Sequence, residues 1–392
     1  MKQKRRKSSA VKKPPAILYI PAALISLLIL KLRFGFSVDR SGVRDIKGPA
    51  LILANHLTNY DHFIVAASLF PHRLTFVLSA HFMMIKPLRP ILNRLHVITK
   101  RMFDSDAGTV LNMMRAARAG NIIVLFPEGR LTWYPHSLKI TEPTGTLVKR
   151  LGIDVYRVTA NGALLTFPKW SPKSHRGKIR VETEKLLTAD EIKSMTEGEI
   201  YALISQKLCH DEETAMSGVR YKSRDTVRGL DGVLYRCPEC GGEDSLEFEC
   251  SRIRCSSCGM TAALTEEYRF EGAPVGTINE WYRYQLDAFD TGIPLMSDVV
   301  VNASDENGVL IHGAGEGKIR LDTENFTFSG TVFGESVSFE IPTRTIEALP
   351  LSVSDHFDIY HGGRLYTFSP RPDPRYALRY VMFADLMKEK SD

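Results

Sequence analysis

The chain has 392 residues, 44% hydrophobic and 24% charged, which excludes wholesale disorder and any collagen-like or proline-rich chain and suggests two or three units with cores of ordinary size. Its net charge of +6 is unevenly placed, since the first forty residues carry ten basic side chains against Asp39 alone and the other 352 sum to −3. Basic character confined to one end argues against a general nucleic-acid-binding surface and for a local contact with something anionic.

That charge sits beside the apolar run AILYIPAALISLLIL, residues 16–30, which is followed by Lys31 and Arg33. As a helix the run reaches roughly 22 Å, short of a bilayer core of roughly 30 Å, and Pro21 is expected to kink or interrupt it. A signal peptide, a buried core helix and a membrane-embedded or interfacial anchor all fit the run. Lys31-Leu32-Arg33-Phe34 offers no small-x-small cleavage site, and the basic tail suits anionic lipid, so an anchor over residues 1–34 on the cytoplasmic face of a membrane is expected.

From residue 35 to 210 the pattern is α/β. Residues 49–54 read as a buried strand ending at Asn55, and Phe63, Ile64, Ala67 and Leu69 are spaced for a helix. Between them lies Asn55-His56-Leu57-Thr58-Asn59-Tyr60-Asp61. A separation of five would put His56 and Asp61 roughly 140° apart on one helix, so they meet only across a turn, which this run supplies. An Asp on one imidazole nitrogen leaves the other as a general base; the bland alternative is a solvated loop His near a capping Asp. A helix starting near Asp61 is expected to point His62 away from the strand-end edge. Ser105 or Asp106 suits the cap of a helix with Val110, Leu111, Met114 and Ala117 on one face, stopped by Gly120. The strand at 121–126 runs into Phe126-Pro127-Glu128-Gly129-Arg130. Strand ends share one edge of an α/β sheet, so this motif is expected beside His56, with Gly129 allowing close approach, Glu128 accepting from a hydroxyl and Arg130 clamping a phosphate; a strand-terminating turn with a surface ion pair is the alternative. A strand at 153–160 and one amphipathic stretch at 188–208, capped by Thr188, close the domain.

A polar link at 211–231 leads to Cys237-Pro-Glu-Cys240-Gly and Cys255-Ser-Ser-Cys258-Gly within residues 232–262. Two such turns supply four tetrahedral thiolates, a zinc-ribbon pattern, and a complete shell makes the metal structural rather than catalytic. Unrelated turns or a redox pair are the alternatives, and Cys209 and Cys250 read as buried thiols. Residues 263–392 form a mostly antiparallel β domain: seven short β-rich runs between 298 and 368, then a helix from Pro374 with Leu378, Val381, Met382 and Leu386 at helical spacing. That order resembles a pleckstrin-homology-like barrel.

NHLTNYD and FPEGR together resemble the first and third motifs of the glycerol-phosphate and lysophospholipid acyltransferase family, in the family's order, over roughly residues 30–210. Leu95-His96-Val97-Ile98-Thr99-Lys100-Arg101 matches the second motif in part, keeping its arginine. The resemblance implies that His56, held by Asp61, deprotonates an acceptor hydroxyl, most nearly that of 1-acylglycerol-3-phosphate, which attacks a fatty acyl thioester of coenzyme A or acyl-carrier protein. It implies that Arg101, Glu128, Gly129 and Arg130 hold the lysophospholipid head group, without a catalytic metal. A membrane-tethered scaffold, inactive in this half and recruiting a partner through the ribbon and β domain, is the competing reading. Nucleic acid is not an expected partner, given the acidic balance outside the N-terminal segment.

Overall fold

The N-terminal apolar run folds as helix α1 (Ala16–Phe34), continuing through Lys31 and Arg33 until Gly35, at φ 53°, ends it in the left-handed conformation that glycine tolerates. In the computed structural model, which describes residues 11–85, 87–100, 107–306 and 308–390, Pro21 lies inside α1 without ending it. The expected interruption does not occur: a proline forfeits one backbone donor, and the buried Tyr19, Ala23, Leu30 and Phe34 keep the helix packed on its unit. At 19 residues α1 is about 28 Å long. Arg101, Ser105 and Asp106 lie outside the described residues.

The chain divides into two compact units. The first comprises Met1–Gly129, Ser137–Asn161 and Ile179–His210. After α1 follow β1 (Phe36–Val38), β2 (Ala50–Ala54), α2 (Asp61–Ser68), β3 (Leu74–Ser79), a 3₁₀ turn (Ala80–Met84), α3 (Arg89–Arg94), β4 (Ile98–Lys100), α4 (Ala107–Arg118), β5 (Ile122–Leu125), α5 (Pro143–Leu151), β6 (Asp154–Asn161), α6 (Ala163–Thr166), β7 (Ile179–Leu187), α7 (Ala189–Ser194) and α8 (Glu197–Leu208). All but α6 belong to this unit. The sheet order is β1-β7-β6-β2-β5-β3-β4, parallel throughout except between β6 and β7.

Every residue of β2 and β5 is buried, as expected for strands covered on both faces. On one face α4, α5, α7 and α8 pack Met113, Val148, Ile192, Ile200 and Ile204 over Leu51, Leu53, Ile123 and Leu125. The buried side of α4 is Thr109, Met113, Ala116 and Ala117, and Leu111 is exposed, about one position round from the expected face. The stretch at 188–208 is two helices, because Thr188 and Thr196 each start one with a capping box to Glu191 and Glu199.

The connections β2-α2-β3 and β3-α3-β4 both advance toward the β4 edge, so right-handed crossovers place them together on the opposite face. There α1 packs on α2. Both ends of α1 are tied to the sheet. The chain before it is held by Asn121 Nδ2 on the carbonyl of Val11 (3.1 Å) and Arg73 Nη1 on that of Pro14 (3.1 Å), residues that precede β5 and β3. Beyond it, β1 pairs with β7 from Phe36↔Ile179 onward, near the C-terminal end of β6. The helix therefore runs from the N-terminal to the C-terminal edge of the sheet.

The second unit comprises Arg130–His136, Gly162–Lys178 and Asp211–Asp392. After α9 (Glu212–Ala215), residues 211–231 bury Val219, Tyr221, Val227 and Leu230, so this polar stretch is packed chain as well as a link. The strands β8 (Leu246–Glu249), β9 (Arg252–Cys255), β10 (Thr261–Leu264) and β11 (Phe270–Glu271) form an antiparallel sheet. Helix α10 (Ile278–Asp287) follows, then β12 (Leu295–Ser304), β13 (Leu310–Leu321), β14 (Asn325–Val332), β15 (Glu335–Pro342), β16 (Leu351–Ser352), β17 (His356–His361) and β18 (Arg364–Arg371) in the antiparallel order β15-β14-β13-β12-β18-β17-β16. Helix α11 (Ala377–Glu389) buries Leu378, Val381 and Met382, while Leu386 is half-buried. Phe326, Phe328, Phe357 and Phe368 form the core of this sheet.

Glu213 accepts the amides of Ile278 (3.0 Å) and Asn279 (2.9 Å) at the start of α10. Burial outweighs these bonds and pushes its carboxyl up to about 7. With the folded value above the ordinary 4.5, its contribution to stability is complete below pH 4.5 and is lost as pH rises through about 7. The melting-temperature deficit of Glu213→Ala should therefore shrink as pH rises across this window. Calorimetry of both proteins in a pH series checks this.

Candidate functional site

Register alone brings the first motifs together. Leu53 of β2 pairs with Leu125 of β5, so the next residues out of the sheet keep the same offset and His56 falls opposite Glu128. The backbone N–H of His56 donates to Glu128 Oε1 at 2.9 Å, and that of Leu138 donates to Oε2 at 2.9 Å. Glu128 is buried with an amide on each oxygen, so it fastens two loop segments. Gly129, at φ 74°, closes the turn with its N–H on the carbonyl of Phe126 at 3.2 Å. A side chain there has room but would meet the left-handed backbone cost.

The turn between His56 and Asp61 is built around the carboxylate. Asp61 Oδ2 accepts the amides of Leu57 (2.7 Å) and Thr58 (2.9 Å) and His56 Nδ1 (2.9 Å), while Oδ1 accepts the Thr58 hydroxyl (2.8 Å). A carboxylate with only donors around it assigns the proton to His56 Nδ1 and leaves the lone pair on Nε2. The imidazole lies on Phe126, centroids 4.4 Å apart and rings 25° from parallel, with its side chain 17% exposed. Fixed tautomer, fixed plane and partial exposure are what a general base needs before any substrate arrives. Neither the part played by Thr58 nor the backbone role of Glu128 was read from the sequence; the Thr three residues before an Asp is the local turn signal that marks the first.

His62 does not point away. Its ring stands edge-on to His56 at 6.0 Å and to Phe126 at 4.9 Å, because the helix begins at Asp61 and its first turn still borders the strand ends. Burial, reinforced by the neighbouring His56 and opposed by Asp61, pushes His62 down to about 4.

Arg130 belongs to the second unit, and its guanidinium is engaged there. Nη2 donates to both oxygens of Asp385 on α11 (2.6 and 2.7 Å), Nη1 to the carbonyl of Leu349 (3.0 Å), and the group lies 5.1 Å from the ring centroid of Trp133. With its side chain 10% exposed, Arg130 is held by partners of its own unit. Nothing local in the sequence marks a partner 255 positions away. Arg130→Ala and Asp385→Ala should each lower the melting temperature, and the double variant should fall short of their sum by about 1–3 kcal/mol. A thermal double-mutant cycle measures this.

In the second unit the four cysteines of the paired motifs converge, their sulfurs all within 4.8 Å of one another. The Cys237–Cys258 and Cys240–Cys255 sulfur pairs are 3.8 Å apart, matching the edge of about 3.8 Å expected for thiolates at about 2.3 Å from one tetrahedral centre. The two turns are alike: Gly241 donates to the carbonyl of Cys237 and Gly259 to that of Cys255, each at 2.9 Å. The amide of Gly242 approaches Cys240 Sγ at 3.4 Å. These groups fit a tetrahedral metal. Cys209 and Cys250, expected to be buried, are exposed.

Among known proteins, no curated protein matches the chain. A crystal structure of the 1-acyl-sn-glycerophosphate (LPA) acyltransferase PlsC from Thermotoga maritima aligns at 12% identity and a TM-score of 0.41, over 48% of this chain and 78% of that one. The Acyltransferase family model matches residues 37–158, so the segment that assembles His56, Asp61 and Glu128 is the segment similar to acyltransferases.

Proposed function

We propose that the protein is a membrane-associated O-acyltransferase that moves a fatty acyl group from a thioester of coenzyme A or acyl-carrier protein to the hydroxyl of a lysophospholipid, most nearly 1-acylglycerol-3-phosphate. The observation that carries this reading is the His56–Asp61 bond, held in place by Glu128, within the part of the chain that matches the family. His56 Nε2 takes the hydroxyl proton as the oxygen attacks the thioester carbonyl. The tetrahedral adduct then expels the thiolate, which recovers the proton from the imidazolium, leaving ester and thiol. Asp61 fixes the imidazole and offsets its transient charge. Since Arg130 is bound to Asp385, the acceptor phosphate falls in this reading to Arg101.

One zinc held by Cys237, Cys240, Cys255 and Cys258 would be structural, tying two turns of a small sheet with little core of its own. The strand order and terminal helix of the larger antiparallel sheet support a pleckstrin-homology-like reading. Helix α1, long and apolar enough to cross a membrane but tied to the sheet at both ends, lies in one leaflet in this account. Lipid mass spectrometry of the detergent-purified protein incubated with a panel of lysolipids and both donor types tests the assignment. A folded protein yielding no new ester with any pair would overturn it.

A further inference from the structure

Exposed large apolar side chains are distributed unevenly over the described residues. Of eighteen, thirteen lie on the sheet face that carries α1 and α2: seven on α1, Tyr60 and Phe63 around the start of α2, and Phe82, Ile85, Leu88 and Ile91 in the connection between β3 and β4. That connection packs thinly, and α3 has no buried residue. It leaves the sheet at Ser79, the C-terminal end of β3, which is the edge where His56 stands. The ring of Phe82 lies 6.4 Å from His62, itself 6.0 Å from His56.

We propose that residues 80–94 are a second membrane-contacting element, separate from α1, that sets the His56 edge of the sheet at the surface of an anionic leaflet. Charge selects lipid as the occupant. Residues 1–103 carry 18 basic and three acidic side chains, and the described part of residues 80–100 includes Arg89, Arg94 and Lys100 with no acid. Basic side chains interleaved with exposed apolar ones suit the headgroup boundary, where each kind meets its own partner. With α1 flat on the same face and residues 80–94 at its catalytic end, a lipid acceptor would reach His56 laterally, its acyl chain still in the leaflet.

The test uses the full chain, whose three native tryptophans are all buried in the second unit. Leu88→Trp, Ile25→Trp on α1 and Leu111→Trp on the opposite face are compared on phosphatidylcholine–phosphatidylglycerol vesicles with brominated acyl chains. The fluorescence of the indole introduced at position 88 or 25 should be quenched, and that of the indole at position 111 should not. The triple variant Ile85→Ser, Leu88→Ser, Ile91→Ser, with α1 intact, should bind these vesicles about tenfold or more weakly. Quenching at position 25 without quenching at 88 would leave α1 as sole anchor and overturn the proposal. So would equal quenching at 111, or a concentration-dependent blue shift at 88 without vesicles, which would assign the face to a second copy of the chain. Because the readout is binding, it stands or falls apart from the chemistry of His56.

Discussion

His56→Ala should lower the turnover of acyl transfer by about 100-fold to 10,000-fold, the range for a positioned general base, with vesicle binding and metal content unchanged. Asp61→Asn should fall in the same range. Its effect is compound, because the carboxylate also accepts the amides of Leu57 and Thr58, and an amide group brings its own donors into a ring of donors. Thermal melts alongside the kinetics separate the turn from the tautomer. His62→Ala is no neutral control, since that ring packs on Phe126 beside His56; His312, exposed on β13, serves instead. His62 has a folded value depressed to about 4, so its contribution to stability is present above its ordinary 6.5 and lost as pH falls through 4. Its imidazole is neutral at pH 7. Near-normal turnover in His56→Ala would promote the scaffold reading.

Metal removal should have the second large effect. Structural zinc in small four-ligand sites is worth on the order of 10–16 kcal/mol, so a chelator or Cys237→Ser should unfold the sheet of β8–β11, and elemental analysis of the native protein should return one zinc. The loss should spread to α11. Asp244, in the loop between Cys240 and Cys255, accepts Arg379 of α11 through both oxygens at 2.6 and 2.7 Å, and that arginine also lies 4.5 Å from the ring centroid of Tyr235. Hydrogen exchange of α11 should rise on chelation, and Arg379→Ala should reproduce part of the rise with zinc in place. A metal-free, folded protein with four titratable thiols, or a disulfide within either motif, would contradict the zinc assignment.

Legibility followed the range of the interactions. Strands buried on both faces, such as Ala50–Ala54, announce themselves as short apolar runs, and the register that sets His56 opposite Glu128 follows once two such runs are parallel neighbours. Cysteine spacing was equally readable, because both turns are local. Strands β1, β3, β4 and β7 were not read, since their burial is incomplete or their span short. The ion pair of Arg130 was not legible because its partner sits on a helix 255 positions later, and the amide bonds of Glu128 were not because they come from two separate loop segments.

The two units are threaded through each other along the chain, which crosses between them five times. Segments 130–136 and 162–178 leave the ribosome well before the residues that complete their surroundings, among them Tyr282 against Trp133, Tyr268 on His175 and Leu351 on Lys169. During synthesis the α/β sheet can close while these two loops wait, with Trp133 and Trp170 uncovered, for the last 182 residues. No single cut separates the units, and a chain stopped after residue 210 would strand both loops for good. The contribution of the C-terminal half is therefore measurable by point substitution and metal removal, whereas a truncated protein would report mainly on its own misfolding.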